Sequence, residues 1–263
     1  MARVRIIGAG RAGSSMAKAL RAVGHVVEGP VGRGHDHGDA GADVDAVIIA
    51  TPDDAIAGVA ATIRPNPEVV VLHLSGSLGL EVLSPHARRG ALHPLIPLPT
   101  AELGAARLAS GITYAVAGDE LASQLAASLG GRVVNVPDAE RARYHAAACI
   151  AANHVVAILG QVERVASSAG LPLDAFIDLA RAAVEDAARL GPASALTGPA
   201  ARGDWATLDR HLEAIDPAER PGYRAGVGLA LELSTSAVTA EPVEDPVDDV
   251  PEVRTPAVSS VVG

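Results

Sequence analysis

The N-terminal run Val4-Arg5-Ile6-Ile7-Gly8-Ala9-Gly10-Arg11-Ala12-Gly13 constrains this chain more than any other segment. A short β-branched strand opens directly onto glycines spaced Gly-x-Gly-x-x-Gly, and alanine-rich helical sequence follows. That order suits a turn that receives a dinucleotide diphosphate. Gly8 permits the tight turn, Gly10 lets backbone approach the diphosphate, and Gly13 lets the helix pack closely on the strand. Ala9, Arg11 and Ala12 complete the loop. The first helical turn then offers free N–H groups and a partial positive charge. A glycine turn that packs without a ligand is the alternative.

Five further strands are expected, at Val26–Glu28, Ala46–Ala50, Val69–Leu74, Thr113–Ala117 and Val133–Val136. Several are apolar at consecutive positions, as strands covered on both faces must be. Helical sequence fits Ala12–Ala22, Asp53–Ile63 and Asp119–Leu129, with Asp53 or Asp54 able to cap the second. This alternation predicts a Rossmann-type parallel sheet domain over residues 1–137. Beyond Pro137 the pattern becomes all-α, over residues 138–236. Asp138 is placed to cap a helix starting at Ala139, and the helical pattern runs to the Gly170-Leu171-Pro172 stop. Residues 237–263, rich in Pro, Val and acids, read as a disordered acidic tail.

Composition narrows the function classes. The net charge of −10 argues against general nucleic-acid binding. One Phe, one Trp and three Tyr leave little for base stacking. The single cysteine, Cys149, precludes an internal disulfide or a cysteine zinc cluster. No apolar run reaches the roughly 18–20 residues of a membrane helix, so no membrane partner is expected and the reading is cytoplasmic. The only lysine, Lys18, lies in a helix and is a poor Schiff-base candidate.

Cofactor choice turns on the end of the second strand, where an NAD site typically carries an acid. Glu28 stands too early for that. Arg33 follows, and Arg11 lies in the glycine loop, so NADP is favoured over NAD. Gly29–Gly41 is short and glycine-rich, without the usual second helix, and Arg33 could equally be a solvated loop charge. Thr51 and Pro52, ending the third expected strand, are placed toward the nicotinamide half, together with Ser75. His35, Asp36, His37 and Asp39 are crowded but lack fixed geometry, so no metal is expected. His73 precedes Ser75-Gly76-Ser77, which is not the spacing of a nucleophilic serine elbow.

The helical region supplies candidate chemistry. His145, Cys149 and Asn153 recur at i, i+4 and i+8 and share one helix face. Reduction of a carbonyl builds charge on oxygen, which a histidine or asparagine can stabilise or protonate. His145 is the candidate proton donor and Asn153 the orienting group. Tyr144 and His93 are candidates to contact substrate. Thr197, Arg202 and Asp204 converge in Leu196–Asp204. Arg202 is suited to clamp a carboxylate, and Asp204 to cap the next helix. A satisfied interhelical histidine and a structural asparagine are the alternative.

Five segments, GAGRAG (8–13), ATPDDAI (50–56), LHPL (92–95), YHAAACIAAN (144–153) and LTGPAARGD (196–204), with His211 beyond, carry a family resemblance. Together they resemble Rossmann-like proteins with a DUF2520 C-terminal domain, over about residues 1–235. The family is distantly similar to pyrroline-5-carboxylate reductase, ketopantoate reductase and F420-dependent NADP reductase. The resemblance implies an NADP-binding fold, with F420 a further cofactor candidate, and a homodimer formed through the helical domain. Related hydroxyacid and ketopantoate enzymes use a helix lysine and an asparagine four residues later; this chain has no such lysine, and His145 would have to substitute. The resulting expectation is an NADP(H)-dependent reductase of a small carbonyl or imine acid, ketopantoate-reductase-like, with substrate between the domains. The competing expectation is a non-catalytic NADP-binding sensor.

Overall fold

Val4, Ile6 and Ile48 are buried with Met16 and Leu20 in one apolar cluster, while Ile7, Val47, Ile49 and Val71 are buried in a second. Neighbouring residues of one strand thus enter different clusters, because successive side chains point to opposite faces of a sheet. Both faces are covered, which is why these strands read as unbroken apolar runs.

The computed structural model describes residues 1–239. Its strands are β1 (Arg3–Ile7), β2 (Val26–Val31), β3 (Ala46–Ile49), β4 (Val70–His73), β5 (Arg88–Pro94), β6 (Thr113–Gly118) and β7 (Arg132–Asn135). They form one sheet in the order β2-β1-β3-β4-β5-β6-β7. Strands β1 to β5 run parallel, β6 runs antiparallel to β5, and β7 runs parallel to β6. Helices α1 (Arg11–Ala22), α2 (Asp53–Thr62), α3 (Ala101–Leu108) and α4 (Glu120–Ser128) connect them. This is a Rossmann-type α/β sheet, and a helical region follows it.

Several expectations need correction. Strand β5 and helix α3 were not anticipated; Arg88, Arg89 and His93 interrupt the apolar run that marks the other strands. Strand β2 continues past Glu28 through Gly29 and Pro30, residues that normally break strands; β2 lies at the sheet edge, where proline is tolerated. No side chain caps α2: Pro52 holds the N-cap position. Asp138 lies in a 3₁₀ turn and accepts a hydrogen bond from the Leu80 N–H (2.8 Å) instead of capping a helix at Ala139. Asp119 does cap α4, accepting from the Leu121 N–H.

The helical stretch Asp138–Ser168 is long and apolar enough, by length and composition alone, to cross a membrane. This corrects the expectation that no run reaches that length. Alanine and valine supply the hydropathy, while His145, Asn153 and His154 interrupt it with polar groups that a lipid-facing helix disfavours. The stretch is not one regular helix. Helix α5 (Arg141–Cys149) passes into a π turn (Ile150–His154) and then α6 (Val155–Ser168).

By internal packing the chain divides into two units, Met1–Ala157 and the remainder from Ile158. The first therefore includes the sheet, α5 and the π turn. The second contains the rest of α6, α7 (Asp174–Leu190), α8 (Pro192–Ala195), α9 (Pro199–Arg202), α10 (Trp205–Ala214) and α11 (Arg220–Thr239). Within it, Glu219 accepts from Arg164 Nε at 2.5 Å and Nη2 at 3.1 Å, and its carbonyl accepts from Gln161 Nε2 at 2.9 Å. The expected acidic tail lies outside the described residues.

Candidate functional site

The glycine loop has the steric signature its spacing predicts. Gly8 has φ +115°, and a Cβ there would stand 2.5 Å from the Ala50 carbonyl oxygen. A Cβ on Gly13 would overlap the Gly8 carbonyl oxygen, whereas one on Gly10 would meet nothing within 4 Å. Two glycines are thus demanded by packing, and the third leaves space open. Helix α1 starts immediately after Gly10 with no acidic residue in its first turn, so nothing offsets the partial positive charge there. A cavity of about 690 Å³ lies against the loop, lined by Gly8, Ala9, Gly10, Arg33, Thr51 and Pro52 among others. The Thr51 hydroxyl is buried and has no hydrogen-bond partner among the described residues. Arg11, Ala12 and Gly13 begin α1 beside this cavity without lining it.

The end of β2 carries no free acid. Glu28 accepts from Arg5 Nε at 3.0 Å and Arg3 Nη2 at 3.3 Å. These arginines, Arg5 first, hold its carboxyl below the usual range. Arg33 follows β2 and is exposed at the cavity, with His37 also lining it. The remaining acids of the crowded histidine loop are committed elsewhere: Asp36 accepts from the Gly38 N–H and Asp39 pairs with Arg64.

Past β4 the chain builds a polar cluster. Asp53 Oδ2 accepts from both Ser75 Oγ (2.7 Å) and Ser77 Oγ (2.8 Å). Ser75 is buried, and its carbonyl accepts from Arg141 Nη1 at 3.0 Å. Arg141 is fully buried, and among the described residues its Nε and Nη2 have no hydrogen-bond partner; Asp138 Oδ1 stands 3.9 Å from Nε. Gly76 lies between two imidazoles: a Cβ there would stand 2.7 Å from His145 Cδ2 and 2.9 Å from His93 Nε2. His93 Nδ1 is 2.7 Å from the Tyr144 hydroxyl. Arg141 and Gly76 escaped the sequence reading; the one available signal for Arg141 was Asp138 three residues earlier.

Burial, followed by the Arg141 charge, pushes the His73 pKa down to about 4. His93 is also pushed down to about 4, by burial first and then by His145 and Arg141. Both rings are therefore neutral at pH 7 in the folded chain. An unfolded histidine, near pKa 6.5, takes up protons that these folded rings refuse. Their contribution to stability is complete above about pH 6.5 and is lost as pH falls toward 4. For fully buried His73 the loss is at most about 3 kcal/mol. Melting temperature should fall by about 6–12 °C over that window, and less in His73→Leu. Calorimetry at stepped pH checks this; equal falls in both proteins would place the loss elsewhere.

A second cavity, about 820 Å³, is built wholly within the first unit, between the β5 exit and the α5–π–α6 stretch. His93, Tyr144, His145, Cys149 and Asn153 all line it. His145 Nε2 is 3.9 Å from Cys149 Sγ. The π turn spans Ile150–His154 and so carries Asn153 to this cavity; such turns interrupt α-helices often at functional sites. Strands β1, β3, β4 and β5 are parallel neighbours, so the glycine loop and His93 leave the same edge of the sheet. The two cavities lie along that edge, where ligands bind in open α/β sheets.

A domain family described as DUF2520, a domain of unknown function, matches residues 109–228. The chain carries a DUF2520 domain. No curated protein matches the sequence. Among solved structures, a candidate NADP oxidoreductase from Bacteroides fragilis is similar at 20% identity and TM-score 0.73, over 88% of this chain and 98% of that one. Pyrroline carboxylate reductase from Plasmodium falciparum with NADP bound is similar at 12% identity and TM-score 0.57, over 89% and 98%. A reductive aminase from Aspergillus terreus in complex with NADPH and ethyl-5-oxohexanoate is similar at 15% identity and TM-score 0.65, over 89% and 98%. These likenesses establish the two-part fold.

The DUF2520 match contains Tyr144, His145 and Asn153 as well as Thr197 and Arg202, while the glycine loop and His93 precede it. Within the match, Thr197 and Arg202 are exposed on the second unit, near and at the end of α9. Asp204 caps α10, accepting from the Thr207 N–H at 3.1 Å. His211 Nδ1 is 2.7 Å from the Tyr223 hydroxyl.

Proposed function

We propose that this protein is an NADPH-dependent reductase of a small carbonyl or imine compound, working in the reduced cytoplasm. The carrying observation is the pair of cavities on one sheet edge: one with a diphosphate-ready glycine loop, the other with His93, Tyr144, His145 and Asn153 set in an apolar wall. Solved structures of this fold include proteins described with NADP or NADPH bound.

The residues present fit a nicotinamide dinucleotide. Open space at Gly10, the uncompensated α1 N-terminus and the partnerless Thr51 hydroxyl are three separate openings in the same cavity region. The Gly8–Gly13 loop would hold the diphosphate, Arg33 with Arg11 the 2′-phosphate, and Thr51 and Pro52 the nicotinamide side. Ser75, tied to Asp53, would stiffen the loop after β4. Bound NADPH supplies a hydride.

The chain's own groups do the rest. Charge that develops on the substrate oxygen or nitrogen requires a proton. In the Nε2–H tautomer of neutral His93, the Tyr144 hydroxyl donates to Nδ1 and turns its lone pairs outward. That leaves His145 as proton donor. Asn153, brought in by the π turn, orients the substrate. Arg141 lies behind the pair, where it donates to the Ser75 carbonyl and helps to keep His93 neutral.

Replacing Arg33 by alanine should weaken NADPH binding by about 10–100-fold, the weight of one charge-assisted contact. NADH binding should stay within about twofold. Fluorescence titration with both nucleotides checks this; equal losses for the two would remove Arg33 from the 2′-phosphate. Binding of neither nucleotide by the unmodified chain would overturn the reading and direct attention to F420.

One observation favours a sensor without turnover: Lys18, the only lysine, is exposed and paired with Glu102 at 2.6 Å. NADPH oxidation across a carbonyl and imine panel separates the two readings. The narrower expectation, a ketopantoate-like acid, rests on the family resemblance; Arg202, the residue suited to clamp its carboxylate, stands on the second unit. Exposed Ile150, Val155, Val156, Leu179 and Val184 support a homodimer through the helical region, which sedimentation would reveal.

A further inference from the structure

We infer that the cavity bounded by the β5 exit and the π turn selects uncharged, apolar carbonyl or imine compounds over those carrying a carboxylate. This rests on the reductase reading of the same site and names its substrate class.

The cavity's volume, about 820 Å³, suits a small organic ligand. Its apolar wall is supplied by Pro94-Leu95-Ile96-Pro97 on one side and by alanines of α5 and the π turn, with Val156, on the other. Among the described residues, no arginine, lysine, aspartate or glutamate lines it. A carboxylate laid against this wall would lose part of its hydration without gaining a cationic partner. The buried guanidinium of Arg141 does not supply one: it donates to the Ser75 carbonyl and is absent from the lining. His93 is held neutral, and its Nδ1 is hydrogen-bonded to the Tyr144 hydroxyl. The proton of His145 is the one assigned to the reacting oxygen or nitrogen, so it is not free to hold a carboxylate as well. What remains for the substrate body is apolar surface, and the polar groups available, His145, Tyr144 and Asn153, suffice for one carbonyl or imine.

Cys149 lines this cavity and is the chain's only thiol. Its alkylation by N-ethylmaleimide therefore reports occupancy without requiring cofactor or turnover. The full chain would be treated with methyl pentyl ketone and with the same ketone bearing a terminal carboxylate, with mass spectrometry following the modification. The neutral ketone should slow alkylation at least about fivefold at near-saturating concentration, and the keto acid should leave it nearly unchanged. With NADPH present, kcat/KM should favour the neutral ketone by about tenfold or more, equivalent to about 1.4 kcal/mol. Leu95→Arg, which places a cation in the wall, should shift the preference toward the keto acid. Equal or better protection by the keto acid, or no protection by either compound, would overturn the inference. A parallel NADPH titration keeps the two ideas apart: absent nucleotide binding defeats the reductase reading, while the alkylation comparison still decides what the cavity accepts.

Discussion

Replacing His145 by alanine should lower kcat about a hundredfold or more, the usual weight of a positioned general acid. NADPH affinity should remain within about twofold, because His145 lines the second cavity and not the one beside the glycine loop. Single-turnover measurement of nucleotide absorbance separates the chemical step from product release. Tyr144→Phe gives the contrast. It removes the hydroxyl that engages His93 Nδ1 at 2.7 Å, and should cost less than loss of His145. A His145→Ala enzyme that turns over within a few-fold of the unmodified one would reassign proton delivery to Tyr144.

The glycine loop permits a second large effect to be split into folding and binding. Gly13 is buried, and an alanine methyl there would overlap the Gly8 carbonyl oxygen and approach Ala50 Cβ at 3.1 Å. Neither α1 nor the loop can yield without disturbing the cluster that contains Met16 and Leu20. Gly13→Ala should therefore destabilise the protein by about 3 kcal/mol, lowering the melting temperature by about 6–12 °C. Gly10→Ala meets no neighbour within 4 Å and should melt with the unmodified chain. Its methyl, however, would occupy the approach to the α1 N-terminus, so NADPH binding should weaken at least about tenfold. Thermal melts beside nucleotide titrations check both halves. Full nucleotide affinity in Gly10→Ala would remove this loop from cofactor contact.

The parts of the fold that were legible in sequence are those where local pattern and tertiary role agree. Ile48 and Ile49 are both apolar because opposite sheet faces bury both. Strand β5 was missed because its arginines pair outward, Arg88 with Asp119 at 2.9 Å, and so break the apolar run. At the site, His93 and Tyr144 could each be singled out, but 51 residues separate them and only the sheet brings them into hydrogen-bond reach. Asp53 resembles a helix cap, yet two serine hydroxyls from the next loop claim its carboxylate. Arg141 was illegible for a similar reason: an arginine at the start of a helix is normally solvated, and Asp138 three residues earlier hints at an ion pair but not that the loop after β4 will cover it.

The π turn at Ile150–His154 has a consequence for the register of everything after it. A five-residue repeat closes a turn that α-helix closes in four, so the turn accommodates one residue beyond the α-helical count. Residues from Val155 onward are rotated by about 100° from where uninterrupted α geometry would put them. Phase relations inferred across Cys149 and Val155 at a constant step are therefore off by one position. Deleting Ala151 would let the turn close with the regular α count and keep the residues from Val155 onward on the face they now occupy. The extra residue is thus felt only within Ile150–His154, the stretch that brings Asn153 to the cavity.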